Sequence, residues 1–331
     1  MEMKWRMIMI DIKQRSIIQR IQKKVRKSSW DCMCPGCNQK AINTHLLQRK
    51  GILDKASSSH HYVEIKYKDV MYWFDNDDNF KYEKLGINQA ISYPTFCNQH
   101  DTELFSVIEQ PIIDFDDYRN QLLFSYRTLC SDLRKIEIVL SEWREFVKCE
   151  DLEIPYNKGT LEHVRKIIDE GEKLRFFKDE LEIELARPSN LYVFHHYTYP
   201  KVGIYASWSD GIETEFDTPY GVLTKTSLCF VHIIPQDDSL EILIGYHKPN
   251  VCLGHLEYVN LWNNLDSESL GWLLTEAIAN RTENIGISAE LYKEIQPSAK
   301  QRLCAYMSEN INIENKIPIG IDFNLFEGVI L

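Results

Sequence analysis

Cys34-Pro35-Gly36-Cys37 and Cys97-Asn98-Gln99-His100 are two ligand pairs about sixty residues apart, each spaced to lie on a tight turn or one helical turn. Three thiolates and one imidazole delivered in that way can close a tetrahedron around Zn²⁺. Such a site supplies folding free energy, on the order of 10 kcal/mol or more in small zinc modules. Pro35 fixes one backbone dihedral and Gly36 permits a positive one, so amides of the turn can point toward the thiolates. Cys32, two residues earlier, is an alternative to Cys34 as the first ligand. Without a metal, the same residues would be reduced, partly buried thiols.

The elements that must position these ligands sit in a chain of 331 residues, enough for two or three domains and a sizeable core. Nine cysteines, odd in number and unevenly placed, suit thiols and metal ligands better than a disulfide framework, which points to a reducing, cytoplasmic location. No apolar run reaches 18 residues, and Met1 to Met9 is followed by charges without a small-residue cleavage site, so neither a membrane span nor a signal peptide is expected. The formal net charge of −11 argues against nucleic-acid binding by the whole surface. Positive charge is concentrated in one place. Lys13, Arg15, Arg20, Lys23, Lys24, Arg26 and Lys27 crowd the segment before the first ligand pair, and this basic arm suits a phosphate backbone or, equally, a solvated helix face.

Apolar residues among these cations recur at near-helical spacing and predict an amphipathic helix over 10–28. His61 to Tyr67 alternates as a strand, with 70–74 as a candidate partner and 75–79 as a polar turn. The acidic run at 75–79 lacks the glycine and terminal glutamate of a calcium loop. From Phe115 to Leu140 an apolar stripe predicts a long helix; Pro155 and Gly159 interrupt it and 161–185 resumes it, giving an antiparallel hairpin that ends at Arg187-Pro188-Ser189-Asn190. Strands are expected over 191–197, 202–208, 228–234 and 240–246, and helices over 256–263, 270–280 and 298–309. The organisation expected is therefore a basic helix (1–29), a metal module (30–110), a helical hairpin (111–189) and an α+β domain with a mostly antiparallel sheet (190–331).

Cys37, the run Ala41-Ile42-Asn43-Thr44-His45-Leu46-Leu47-Gln48-Arg49 and the run Phe96-Cys97-Asn98-Gln99-His100-Asp101-Thr102-Glu103-Leu104-Phe105 resemble a bacterial group of uncharacterised proteins with a zinc-containing HNH-like, treble-clef module. The likeness covers roughly residues 30–110. It implies an α+β fold in which a first strand ends in a general-base histidine and a later helix ligates a catalytic divalent ion. Residue by residue, His45 falls at the base and Asp101 directly after the second ligand pair, with Cys34, Cys37, Cys97 and His100 as structural ligands. An imidazole near neutrality can take a proton from water while Mg²⁺ or Mn²⁺, held by a carboxylate, stabilises phosphate charge. The chain departs from the pattern at Thr44, where an acid or second histidine is common, and has no asparagine at the middle position unless Asn88 serves in a shifted register. His45 as a zinc ligand or packed histidine, and Asp101 as a helix-capping acid, are the structural alternatives.

Two functions follow. One is a metal-dependent HNH-like nuclease acting on DNA or RNA, of the kind fused to sensing regions in bacterial defence against phage. The other is a non-catalytic zinc-scaffolded module binding nucleic acid through the basic arm, or protein. The C-terminal domain is a candidate protein-binding region, and the stripes over 118–185 suit a homodimer seam. His60-His61 and His195-His196 are adjacent pairs whose members point to opposite faces of a strand, so at most one of each can join a single site. His195, His196, His232, His247 and Cys229 carry no accompanying nucleophile elbow, phosphate loop or dinucleotide fingerprint.

Overall fold

The computed structural model describes residues 12–67, 80–153, 158–218, 221–310 and 321–329. In chain order its elements are α1 (Ile12–Arg26), β1 (Ile42–His45), α2 (Asp54–Ala56), β2 (His61–Tyr67), β3 (Phe80–Gly86), β4 (Ser92–Phe96), α3 (Asn98–Phe105), α4 (Tyr118–Lys148) and α5 (Lys158–Ala186). There follow β5 (Tyr192–Pro200), β6 (Ile204–Thr218), β7 (Gly221–Pro235), β8 (Ser239–His247), α6 (Leu253–Leu261), α7 (Ser267–Glu276), β9 (Ile285–Ser288), α8 (Ala289–Glu294) and α9 (Pro297–Glu309). No described helix is long and apolar enough to cross a membrane.

The chain is a mixed helix-and-sheet protein built on a seven-stranded sheet of order β3-β2-β9-β6-β7-β8-β5, every pairing antiparallel. Alternation along β7 separates two cores: Leu228, Phe230 and Ile234 face one, Cys229, Val231 and Ile233 the other. The first core lies against α4, α5 and the N-terminal module; the second lies under α6, α7, α8 and α9. The sheet is thus the middle of three layers.

The expected strand over 61–67 forms, but it belongs to this sheet and not to the metal module. Tyr62 and Val63 pair with Ser288 and Ile287 of β9, and the other edge of β2 pairs with β3. The segment 30–110 therefore contributes both to the β1·β4 ladder and, through the β2·β3 hairpin, to the edge of the larger sheet. The candidate partner at 70–74 and the turn at 75–79 lie outside the described residues.

The helical hairpin is present, although Gly159, expected to interrupt it, is the second residue of α5. Asp117 caps α4 by accepting from the Asn120 amide at 2.9 Å. The two helices run antiparallel, with Tyr118 donating to Glu184 at 2.7 Å near one end and Trp143 packed edge-on against His163 near the other. Gly171 permits the close approach between them, since a Cβ there would lie 3.1 Å from Ile136 Cγ2. Helix α1 packs Ile17, Ile18, Ile21 and Val25 against Trp143 and Phe146 of α4, a third, smaller core.

Candidate metal centre

Residues 30–41 fold back on themselves before β1. Ala41 donates to the Trp30 carbonyl at 2.8 Å, Cys32 to Gln39 at 2.9 Å, and Met33 reaches Thr95 of β4 at 2.9 Å. Gly36 takes φ +72°, the left-handed conformation its lack of a Cβ allows, and the turn closes with Cys37 donating to the Cys34 carbonyl. Strands β1 and β4 pair antiparallel from Ile42 opposite Phe96 to His45 opposite Ser92, with an irregularity after Ile42. Cys97 then caps α3, so the second ligand pair sits on the first turn of a helix that begins where the strand ends.

These elements bring Cys32, Cys37, Cys97 and His100 together, with their ligand atoms all within 4.8 Å of one another. Cys37 Sγ lies 3.9 Å from Cys97 Sγ, and His100 Nδ1 lies 3.5 Å from Cys32 Sγ and 3.3 Å from Cys97 Sγ. Zinc bond lengths of about 2.3 Å to sulfur and about 2.0 Å to nitrogen imply tetrahedral edges of about 3.8 Å between sulfurs and about 3.5 Å between sulfur and nitrogen. The donor set and its spacing fit a zinc ion.

The first ligand is Cys32, and Cys34 is not in the group. The turn Cys34-Pro35-Gly36-Cys37 does form, but with Cys32 anchored to Gln39 the earlier thiol enters the cluster. Cys34 instead packs on the first core, within electrostatic reach of Glu182 and Lys178 of α5. The spacing is therefore Cys-x4-Cys with Cys-x2-His. Amides of the two turns support the sulfurs: Gln39 donates to Cys37 Sγ at 3.4 Å and His100 to Cys97 Sγ at 3.5 Å. The His100 amide holds the Cys97 thiol below its ordinary value, whereas burial pushes Cys32 up to about 11. A bound divalent cation would favour the thiolate at both.

Asp101 lies in the first turn of α3, its amide donating to the Cys97 carbonyl at 2.9 Å. Its carboxylate faces a cation already present in the fold: Arg127 Nη2 of α4 donates to Asp101 Oδ1 at 3.3 Å and to Glu109 Oε1 at 2.5 Å. The guanidinium also lies over the Phe105 ring, 4.1 Å from its centroid. Two helical turns along the same face, Arg134 donates to the Asp31 carbonyl at 2.6 Å and covers Trp30. Both arginines are buried, and together they fasten the ligand-bearing loops to α4. Sequence reasoning missed them. A lone arginine within an apolar helical stripe was the available signal.

His45 is half-buried at the far end of the β1·β4 ladder. At about 3.3 Å per residue, Ser92 opposite it is about 13 Å along the strand from Phe96. Neither His45 nor Asp101 belongs to a group of three or more prospective metal ligands among the described residues.

The two adjacent histidine pairs and His232 pack or pair within the fold. His60 and His61 contact Asp54 at 3.1 Å and the Ser59 carbonyl at 2.6 Å. His195 stacks on Tyr246, whereas His196, on the opposite face, lies 2.8 Å from Glu241 and 3.0 Å from Asp116. His232 is fully buried between Ser207 (2.6 Å) and Ser125 of α4 (3.3 Å).

The basic arm folds along α4. Lys24 contacts Glu145, and Arg26 Nε lies 3.7 Å from Glu142 Oε1. Lys13, Arg20, Lys23 and Lys27 are exposed and share the side of the helix away from the apolar face.

No protein-family model, curated protein or solved structure matches this chain.

Proposed function

We propose that the N-terminal third is a zinc-scaffolded module of the HNH-like, treble-clef type that acts without catalysis, contacting nucleic-acid phosphates through the exposed cations of α1. Cys32, Cys37, Cys97 and His100 offer four protein ligands, the number a structural zinc site uses, which supports the scaffold; the observation that carries the non-catalytic reading is the engagement of Asp101. Asp101, the residue the HNH resemblance assigns to a second, hard cation, is engaged by Arg127. Arg20 and Lys23 on the outer face of α1, and Lys27 just past its end, are exposed together on a chain whose net charge is −11.

The test is fluorescence anisotropy with short labelled DNA and RNA at low salt, comparing the wild type with the triple variant Arg20→Glu, Lys23→Glu, Lys27→Glu. The expected result is sequence-independent binding that weakens at least about tenfold in the variant and has a shallower salt dependence, at unchanged zinc content. Equal binding by both proteins would remove α1 as the contact.

One observation favours a second reading, metal-dependent phosphodiester hydrolysis. His45 is the last residue of β1, which pairs antiparallel with β4, and β4 runs directly into α3, so two paired strands and a helix stand together as in an HNH core. In that reading His45 takes a proton from the attacking water. Plasmid and RNA cleavage with Mg²⁺ or Mn²⁺, lost in His45→Ala while zinc is retained, would establish it over the scaffold reading.

A further inference from the structure

Helix α5 buries Gly171, Leu174, Phe177 and Leu181 toward α4 and the core, yet its opposite face carries large apolar side chains in the open. Leu161, Ile168, Phe176 and Ile183 are 62%, 42%, 49% and 60% exposed. At 100° per residue they fall within about 80° of one another, a single stripe about 33 Å long. Arg165, Glu172 and Asp179, all exposed, lie within the same stripe.

The order of these residues is self-complementary. Leu161 and Ile183 stand eleven residues either side of Glu172, and Ile168 and Phe176 stand four either side. Arg165 and Asp179 stand seven either side, Asp169 and Arg175 three. A second α5 laid antiparallel across a two-fold axis through Glu172 therefore sets apolar residues against apolar residues. The same operation sets Arg165 against Asp179 and Asp169 against Arg175, each pair occurring twice. A two-fold interface is self-complementary by necessity, and this stripe meets the condition in both its apolar and its charged positions. Like charges meet at Glu172 with its own copy, on the axis beside Arg175, and off the centre of the stripe, where Glu162 falls opposite Glu182 and Lys166 opposite Lys178.

We propose that α5 is a homodimer interface, occupied by α5 of a second copy of this chain in antiparallel orientation. The surface is independent of the metal module and of any nucleic-acid contact. It lies opposite the face that holds the hairpin together, so substitutions there leave the buried contacts of α5 in place.

Sedimentation velocity over a range of concentrations tests it. The wild type is expected to move from chain mass toward twice that mass. Arg165→Asp, which places like charges together at two symmetric positions, is expected to weaken association at least about tenfold. The double variant Arg165→Asp, Asp179→Arg restores opposite charges across the axis and is expected to regain association. These two residues are fourteen apart on one helix, too far to pair within it, so rescue reads contact between copies. Circular dichroism and a thermal melt confirm that each variant is folded. A wild type that stays at chain mass, a dimer indifferent to Arg165→Asp, or a double variant no better than the single one would each overturn the proposal.

Discussion

Arg127 of α4 donates to Asp101 of α3 at 3.3 Å, so the carboxylate directly after the second ligand pair is tied to the helical hairpin. The Arg127 side chain is only 3% exposed, and its other acceptor is Glu109, just beyond α3. Ligand-bearing turn, α3 and α4 are thereby one unit. Zinc would fix the ligand loops to one another, and Arg127 and Arg134 fix them to the rest of the fold.

Arg127→Ala removes a buried cation and leaves two carboxylates facing each other without it. Breaking a buried ion pair by deleting one partner costs about 3–5 kcal/mol; the partial exposure of Asp101 and Glu109 screens the interaction and places this case at or below the lower end. Urea denaturation should show that loss, with zinc still bound in the folded protein. Loss of zinc from folded Arg127→Ala would mean instead that the arginine is needed to assemble the ligand loops.

Cys32 and Cys34 separate by metal content. Cys32→Ser is expected to lose zinc and to unfold the ligand loops with β1, β4 and α3 at a lower denaturant concentration, because a tetrahedral site loses a quarter of its donors. Cys34→Ser is expected to keep about one zinc per chain, since its thiol lies outside the cluster. Elemental analysis of the two purified proteins decides between them. Zinc lost from Cys34→Ser and retained by Cys32→Ser would reverse the assignment.

Spacing alone made three of the four ligands legible. Cys37, Cys97 and His100 sit where turn geometry puts them, but the choice between Cys32 and Cys34 depends on the Cys32 to Gln39 and Met33 to Thr95 backbone bonds, which link distant segments. Local periodicity likewise disclosed α4 and α5, whose apolar stripes are continuous, and most of the strands from 192 to 247. It did not disclose that β2 and β3 join that sheet. The alternation of His61 to Tyr67 fits any half-buried sheet, and its partner β9, Ile285–Ser288, is a four-residue strand more than two hundred positions away. Asp101 shows the same limit at a single residue. Its position after the ligand pair suits metal binding, helix capping or an ion pair, and only the packing of Arg127 separates them.

Glu184 gives the fold an acid-sensitive joint. It accepts from Tyr118 at 2.7 Å, from the Ser189 amide and hydroxyl at 2.9 and 2.6 Å, and from the Leu191 amide at 3.1 Å, joining both helices of the hairpin to the start of β5. Burial alone would raise its pKa, but the bonds from Ser189 and Tyr118 hold it at about 2. A depressed carboxylate contributes stability that is present above the unfolded value of about 4.5 and is lost as pH falls toward 2. Glu184→Gln is therefore expected to be less stable than the wild type by about 1–3 kcal/mol at pH 7, with the gap closing between pH 4.5 and 2. Urea midpoints at a series of pH values measure it, and a gap that stays constant to pH 2 would show that Glu184 is not ionised in the fold.

Two histidines shifted in opposite directions offer a last check on how the layers meet. His232, enclosed between the sheet and α4, is driven by burial down to about 3 and is neutral at and around pH 7. Its ring accepts from one hydroxyl and donates to the other, which a neutral imidazole can do and an imidazolium cannot. His196 is the reverse. Hydrogen bonding to Glu241 raises its pKa, Asp116 adds to that, and only the doubly protonated ring can donate to both carboxylates. Its contribution to stability is complete below the ordinary histidine value of 6.5 and fades as pH rises through the elevated folded value. In a ring-proton NMR titration, the His196 signal should move with a midpoint above 6.5 while that of His232 stays fixed at and around pH 7. His232→Phe should cost stability at every pH, by leaving Ser125 and Ser207 facing an apolar ring. His196→Gln should cost more at pH 5.5 than at pH 8.5, because only at the lower pH does the wild-type ring bridge both acids. Equal losses at the two pH values would show that His196 is neutral and that Asp116, in the loop before α4, is not held to the sheet by charge.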